Sequence, residues 1–125
     1  MSGRIVHFEI PFDNGDRARA FYKDAFGWNI MEMPGMDYTI ASTGPVDDQG
    51  TPTEAGFING GMFARDAALG TPMITVDCDD IDAALKKVET LGGTTVSAKQ
   101  AVADMGWAAY FKDSEGNLMG LWQTA

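Results

Sequence analysis

The one histidine of this 125-residue chain, His7, stands two residues before Glu9 in the segment IVHFEIPF. Val6, Phe8, Ile10 and Phe12 fall on one parity and His7, Glu9 and Pro11 on the other. This is the period-two mark of a strand with two unlike faces, and it returns the Glu9 carboxylate to the side of the His7 imidazole. An imidazole that titrates near neutrality, oriented or charged by a carboxylate, is the material of a general base. The other reactive groups are less promising. Cys78 lies in the acidic run VDCDDID without a basic neighbour to lower its pKa, so it is not read as a nucleophile. One Cys and one His cannot form an internal disulfide, nor a thiolate or poly-imidazole metal site. Asp77, Asp79, Asp80 and Asp82 lack the spacing and glycine of a calcium loop and are read as the entry to a helix, where carboxylates complement the dipole. Phosphate loops, dinucleotide-binding glycine motifs and serine-hydrolase elbows are absent from the sequence.

Nine Lys and Arg against eighteen Asp and Glu give a net charge of -9, which repels phosphate backbones and anionic lipid alike. Nucleic acid and membrane are therefore not expected as partners. Apolar runs fall well short of the roughly 20 residues that span a bilayer. The start of the chain enters its alternating segment without a basic stretch followed by an apolar one, and a cytoplasmic location is expected. With 45% hydrophobic and 22% charged residues, the composition is that of an ordinary folded domain.

The elements that must position these residues come in two similar sets. HFEIPFDNGDRARAFYKDAFGWNI, from His7, and TPMITVDCDDIDAALKKVETLGGTTV, from Thr71, each run from an alternating segment through an acidic loop into a helical stretch that stops at Gly27 or Gly92. Asp16 to Phe26 places Ala18, Phe21, Tyr22, Ala25 and Phe26 at helical spacing, with Asn14 or Asp16 as N-cap. Asp80 to Leu91 repeats this with Ile81, Ala84, Leu85, Val88 and Leu91. Strands are predicted at 28–33, 37–43 and 55–63, then at 94–98, 106–112 and 118–123. Residues 44–54 read as a polar insertion and 64–72 as the linker between the copies. The reading is a βαβββ unit used twice, over about 4–64 and 70–124. Val6, Phe8, Ile10 and Phe12 are expected to pack beneath Phe21 and Phe26 of the first helix.

This duplicated pattern, with HFEIPF and RARAFYKDAFGW near the start and GWAAYFKDSEGNLMGLWQ at the end, resembles the vicinal oxygen chelate superfamily of glyoxalases, bleomycin-resistance proteins and extradiol dioxygenases. The resemblance covers the whole chain. It implies an α+β fold, a single glyoxalase-like domain in which two tandem βαβββ units form a cupped mixed sheet with the helices on its outer face. The four metal-ligand positions of the superfamily's enzymes then fall on His7, approximately Gly60, Thr71 and Gly120, of which His7 alone binds metals well. A catalytic divalent site takes about three protein ligands, so neither metal nor cofactor is expected, Glu9 being the one added donor. The resemblance also places Tyr110 in the cup, ten residues before Gly120, as a third candidate catalytic residue beside His7 and Glu9. Gly60 and Gly120 would leave the middle of the cup open, with Met73, Thr75 and Trp122 completing the ligand-binding set.

The function expected from these features is metal-independent binding of a small, partly apolar organic molecule in a concave pocket, as bleomycin-resistance proteins do by sequestration. Alternatives are a lyase or isomerase acting on a small carbonyl compound by His, Glu and Tyr proton transfer, a metal-dependent glyoxalase- or dioxygenase-type enzyme, and a dimerisation module with a vestigial cup. A homodimer is expected, because open strand edges need cover.

Overall fold

The computed structural model of the protein describes residues 3–125. Its elements follow the order β1 (Ile5–Phe12), α1 (Gly15–Phe26), β2 (Asn29–Glu32), β3 (Thr39–Ser42), β4 (Gly60–Ala64), β5 (Met73–Asp77), α2 (Ile81–Thr90), β6 (Thr94–Val102), β7 (Gly106–Lys112) and β8 (Leu118–Thr124). This is an α+β fold in which the βαβββ unit occurs twice. The chain forms two compact units, His7–Pro72 and Met73–Ala125, the latter joined by residues 3–6.

In the His7–Pro72 unit, β1 runs parallel to β4, β4 antiparallel to β3, and β3 antiparallel to β2. Helix α1 begins where the Asn14 side chain accepts from the Arg17 amide and ends at Gly27, whose φ of 73° lets its N–H reach the Lys23 carbonyl. Its sheet-facing stripe is Gly15, Ala18, Arg19 and Tyr22. Arg19 lies 5.7 Å from the centre of the Phe12 ring and donates to Thr39 Oγ1, while Tyr22 stacks on Trp28 at 4.8 Å and Trp28 meets Phe8 at 5.6 Å. Phe21 and Phe26 do not cover β1 as apolar spacing suggested: they are 58% and 64% exposed. The long Arg19 side chain takes the inward position because its stem packs apolarly while its guanidinium finds Thr39, Asp16 and Glu32.

The second unit pairs β5 with β8 in parallel, and β8 with β7 and β7 with β6 antiparallel. The first described residues join it, Gly3 donating to the Asp77 carbonyl and Asp77 to that of Arg4. Ile81 and Leu85 of α2 pack on Ala109, Phe111 and Leu121, a core flanked by Val76, Val88, Trp107 and Met119. Asp80 caps α2 by accepting from the Ala83 amide, so the acidic run is a helix entry. The helix closes at Leu91, one residue before Gly92.

Two strand ranges differ from expectation. Residues 55–59 are irregular, because Asn59 Oδ1 accepts from the Thr43 amide and Thr43 Oγ1 donates to the Ile58 carbonyl, replacing ladder bonds with side-chain ones. Strand β6 continues to Val102 across register shifts after Thr95 and Ser97, which keep it paired with β7.

Candidate functional site

Strand parity sorts β1 as the sequence indicates. Phe8 and Phe12 point toward Trp28 and Arg19 on the α1 side, which leaves His7 and Glu9 on the opposite face. Glu9 pairs with Gly61, and Gly61 with Ile40. Tyr38, two residues before Ile40, shares this face, and its hydroxyl lies 2.7 Å from Glu9 Oε2 and 2.7 Å from His7 Nε2. His7 Nε2 and Glu9 Oε2 are themselves 4.0 Å apart. The His7 and Tyr38 rings are nearly parallel, at 17°, and Glu9 is only 7% exposed. Sequence reasoning missed Tyr38. The available signal was its parity with Ile40 on a strand that must pair beside a glycine doublet.

The hydrogen-bond inventory then assigns the protons. Tyr38 has one hydroxyl hydrogen, donated to Glu9, so its oxygen accepts from His7 Nε2. Burial lowers the His7 pKa from 6.5, with the Glu9 charge opposing, so the ring is neutral at pH 7. A neutral ring protonated at Nε2 carries its lone pair at Nδ1.

Gly60 does not join this face. It pairs with Phe8, and a Cβ there would fall 2.4 Å from both the Phe8 ring and the Phe8 carbonyl oxygen. Register places Gly61, one residue later, beside Glu9 instead. The slip matters because one residue exchanges faces on a strand. Thr71, read as a fifth-strand position, is exposed and lies before β5 begins at Met73. The donors on the first unit's face are thus His7 and Glu9, both engaged by Tyr38, beside a glycine. Among the described residues no three His, Cys, Asp or Glu side chains gather as metal ligands. This donor set does not make up the three-ligand divalent centre of the metalloenzymes that the sequence resembles.

In the second unit, Thr75, Gly120 and Tyr110 lie side by side across β5, β8 and β7. Trp122 and Met73 share their parity, away from the Ile81 and Leu85 core. Met73 and Thr75 are buried, at 4% and 6% exposure. Gly120 does not hold open space. A Cβ there would fall 2.7 Å from Thr75 Oγ1, so the glycine admits the threonine hydroxyl. The Trp122 ring lies against Gly106 in the same way, and its Nε1 donates to Thr124 Oγ1 at 3.1 Å. The structure therefore brings Met73, Thr75, Tyr110, Gly120 and Trp122 together in one unit, and His7, Glu9 and Tyr38 in the other.

Residues 4–44 match the family described as bleomycin resistance protein-like N-terminal. The fold is also that of several solved structures. A Streptomyces coelicolor methylmalonyl-CoA epimerase variant in complex with 2-nitronate-propionyl-CoA aligns with a TM-score of 0.68 at 17% identity, over 100% of this chain and 99% of that one. Methylmalonyl-CoA epimerase from Mycobacterium tuberculosis gives 0.63 at 16%, over 98% and 88%. A glyoxalase/bleomycin resistance protein/dioxygenase superfamily member from Vibrio splendidus gives 0.61 at 15%, over 98% and 99%. No curated protein matches the sequence significantly.

Proposed function

We propose that the chain, which shares the fold of a glyoxalase/bleomycin resistance protein/dioxygenase superfamily member, belongs to the vicinal oxygen chelate superfamily and is a metal-independent, glyoxalase-like protein binding a small, partly apolar organic molecule. The observation that carries this reading is the hydrogen-bond chain of His7, Tyr38 and Glu9 on the β1 face away from α1. It ties both potential metal donors to Tyr38 and leaves the His7 side chain 32% exposed to meet a ligand. Met73, Thr75, Tyr110 and Trp122 are proposed as ligand contacts of the second unit, matching the mostly apolar walls with few polar groups typical of small-molecule sites. Gly120 contributes by admitting Thr75 rather than by leaving volume.

Ligand-observed NMR against a metabolite library tests the proposal, with His7→Ala and Trp122→Ala as comparisons. Ligands that bind the native protein and weaken in the variants support it, and elemental analysis finding about one metal per chain, lost on His7→Ala, overturns it.

A second reading, a lyase or isomerase acting on a small carbonyl compound, is favoured by the same chain of groups, since hydrogen-bonded imidazole, phenol and carboxylate can pass a proton. Two of the structures sharing this fold are epimerases by name. We also propose that the protein works as a homodimer. Within its unit β2 pairs with β3 along one edge, and Met31 on it is 57% exposed. Sedimentation at micromolar concentration giving 13.4 kDa would reject the dimer.

A further inference from the structure

We infer that His7 acts through Nδ1 as the base of a proton relay running His7 to Tyr38 to Glu9, toward a neutral, partly apolar ketone with a C–H next to its carbonyl. The inference rests on the proton-transfer reading above and names its reactive atom and substrate class. Nε2 is committed to the Tyr38 hydroxyl, whereas among the described residues no side chain or backbone group hydrogen-bonds to Nδ1. The His7 side chain is 32% exposed, and its lone pair lies at Nδ1.

The step balances without any further reagent. The substrate C–H bond breaks, its electron pair remains on the substrate as an enolate, and the proton bonds to His7 Nδ1. The proton on Nε2 passes to Tyr38 Oη, and the proton Tyr38 carried passes to Glu9 Oε2. His7 and Tyr38 end neutral and Glu9 ends as a carboxylic acid, so the protein loses a charge as the substrate gains one. An imidazolium alone would have to hold that charge in a site where burial already disfavours it. The 2.7 Å contacts on either side of Tyr38 Oη are the distances such a transfer requires. Return of a proton to either face of the enolate gives isomerisation or solvent exchange. A neutral ketone fits because Glu9 and a net charge of -9 both oppose an anionic substrate. His7 is the catalytic residue; Tyr38 and Glu9 are positioning residues that act through it.

Two measurements on the full chain test this. Nitrogen-15 NMR of the single histidine in the free protein reads the tautomer, and loss of α-proton signal from benzylacetone in D2O reads the transfer. The expected results are a proton on Nε2, exchange lowered roughly a hundredfold in His7→Ala, and a kcat lowered roughly tenfold or more in Tyr38→Phe with KM little changed. Glu9→Gln accepts from Tyr38 but cannot take its proton, so it should keep the Nε2–H tautomer and still lose exchange. A merely structural Glu9 would not separate those two readouts. A proton on Nδ1 in the free protein, native exchange in Tyr38→Phe, or benzylacetone that binds without exchanging overturns the relay. No benzylacetone binding overturns both the ketone substrate inferred here and the binding proposal, whereas binding without exchange overturns the relay alone.

Discussion

Gly61 is the seat of Tyr38: a Cβ built on this glycine would lie 1.8 Å from the Tyr38 hydroxyl oxygen and 2.0 Å from the ring carbon that bears it. The absence of a side chain on β4 is therefore what lets the phenol lie between His7 and Glu9. Gly61→Ala should displace the ring and destabilise the protein by about 1–3 kcal/mol, as overpacking does. Denaturant titration checks the loss. The double variant Gly61→Ala with Tyr38→Ala should recover part of it, and strict additivity would show that the two residues do not compete for this space.

Removing only the phenol oxygen asks a different question. Tyr38→Phe keeps the ring over Gly61 but takes the hydroxyl from a Glu9 that is 7% exposed. The expected cost is about 1–3 kcal/mol, from a buried carboxylate that loses a hydrogen bond. Equal urea midpoints for Tyr38→Phe and the native protein would contradict it.

His7 sets a pH dependence whose sign follows from its lowered pKa. Between the folded value and 6.5, the unfolded chain binds the proton more readily than the folded one, so stability rises with pH there. The contribution is fully present above pH 6.5 and is lost as pH falls through the folded pKa. Urea unfolding of native protein and His7→Gln between pH 7.5 and about pH 5 should show the steeper decline in the native chain. Parallel profiles would remove His7 as the cause.

The two helices differ in what their apolar residues do. Ile81 is 0% exposed within the α2 core, and Ile81→Ala should cost about 2–5 kcal/mol through the cavity it leaves. Phe21→Ala and Phe26→Ala, on the outer side of α1, should stay within about 0.5 kcal/mol of native. Thermal melts of the three variants separate these outcomes, and a large loss at Phe21 would mean that the exposed ring cluster carries stability.

The second-unit glycine behaves as a close-approach residue. Gly120→Leu meets Thr75 Oγ1 at once, so it should destabilise the protein by about 1–3 kcal/mol and not merely fill a space. A Gly120→Leu variant of native stability would overturn this, as would one whose stability is unchanged by adding Thr75→Ala.

Much of this protein was determined by local rules in the sequence. Alternation along β1 separated His7 and Glu9 from Phe8 and Phe12, Asn14 or Asp16 and the acidic run at Asp80 marked the helix starts, and the repeated order of elements indicated two βαβββ units. Each of these depends on neighbours in the chain, where periodicity and capping act. Tertiary structure alone decided which glycine faces which strand. Gly60 and Gly61 are indistinguishable by type, and a register shift of one residue between β1 and β4 exchanges their faces. The same long-range pairing brought Tyr38 to His7, 31 positions away, and turned Arg19 inward in place of Phe21 and Phe26. Packing and hydrogen-bond satisfaction between distant segments set those choices, and no local period encodes them.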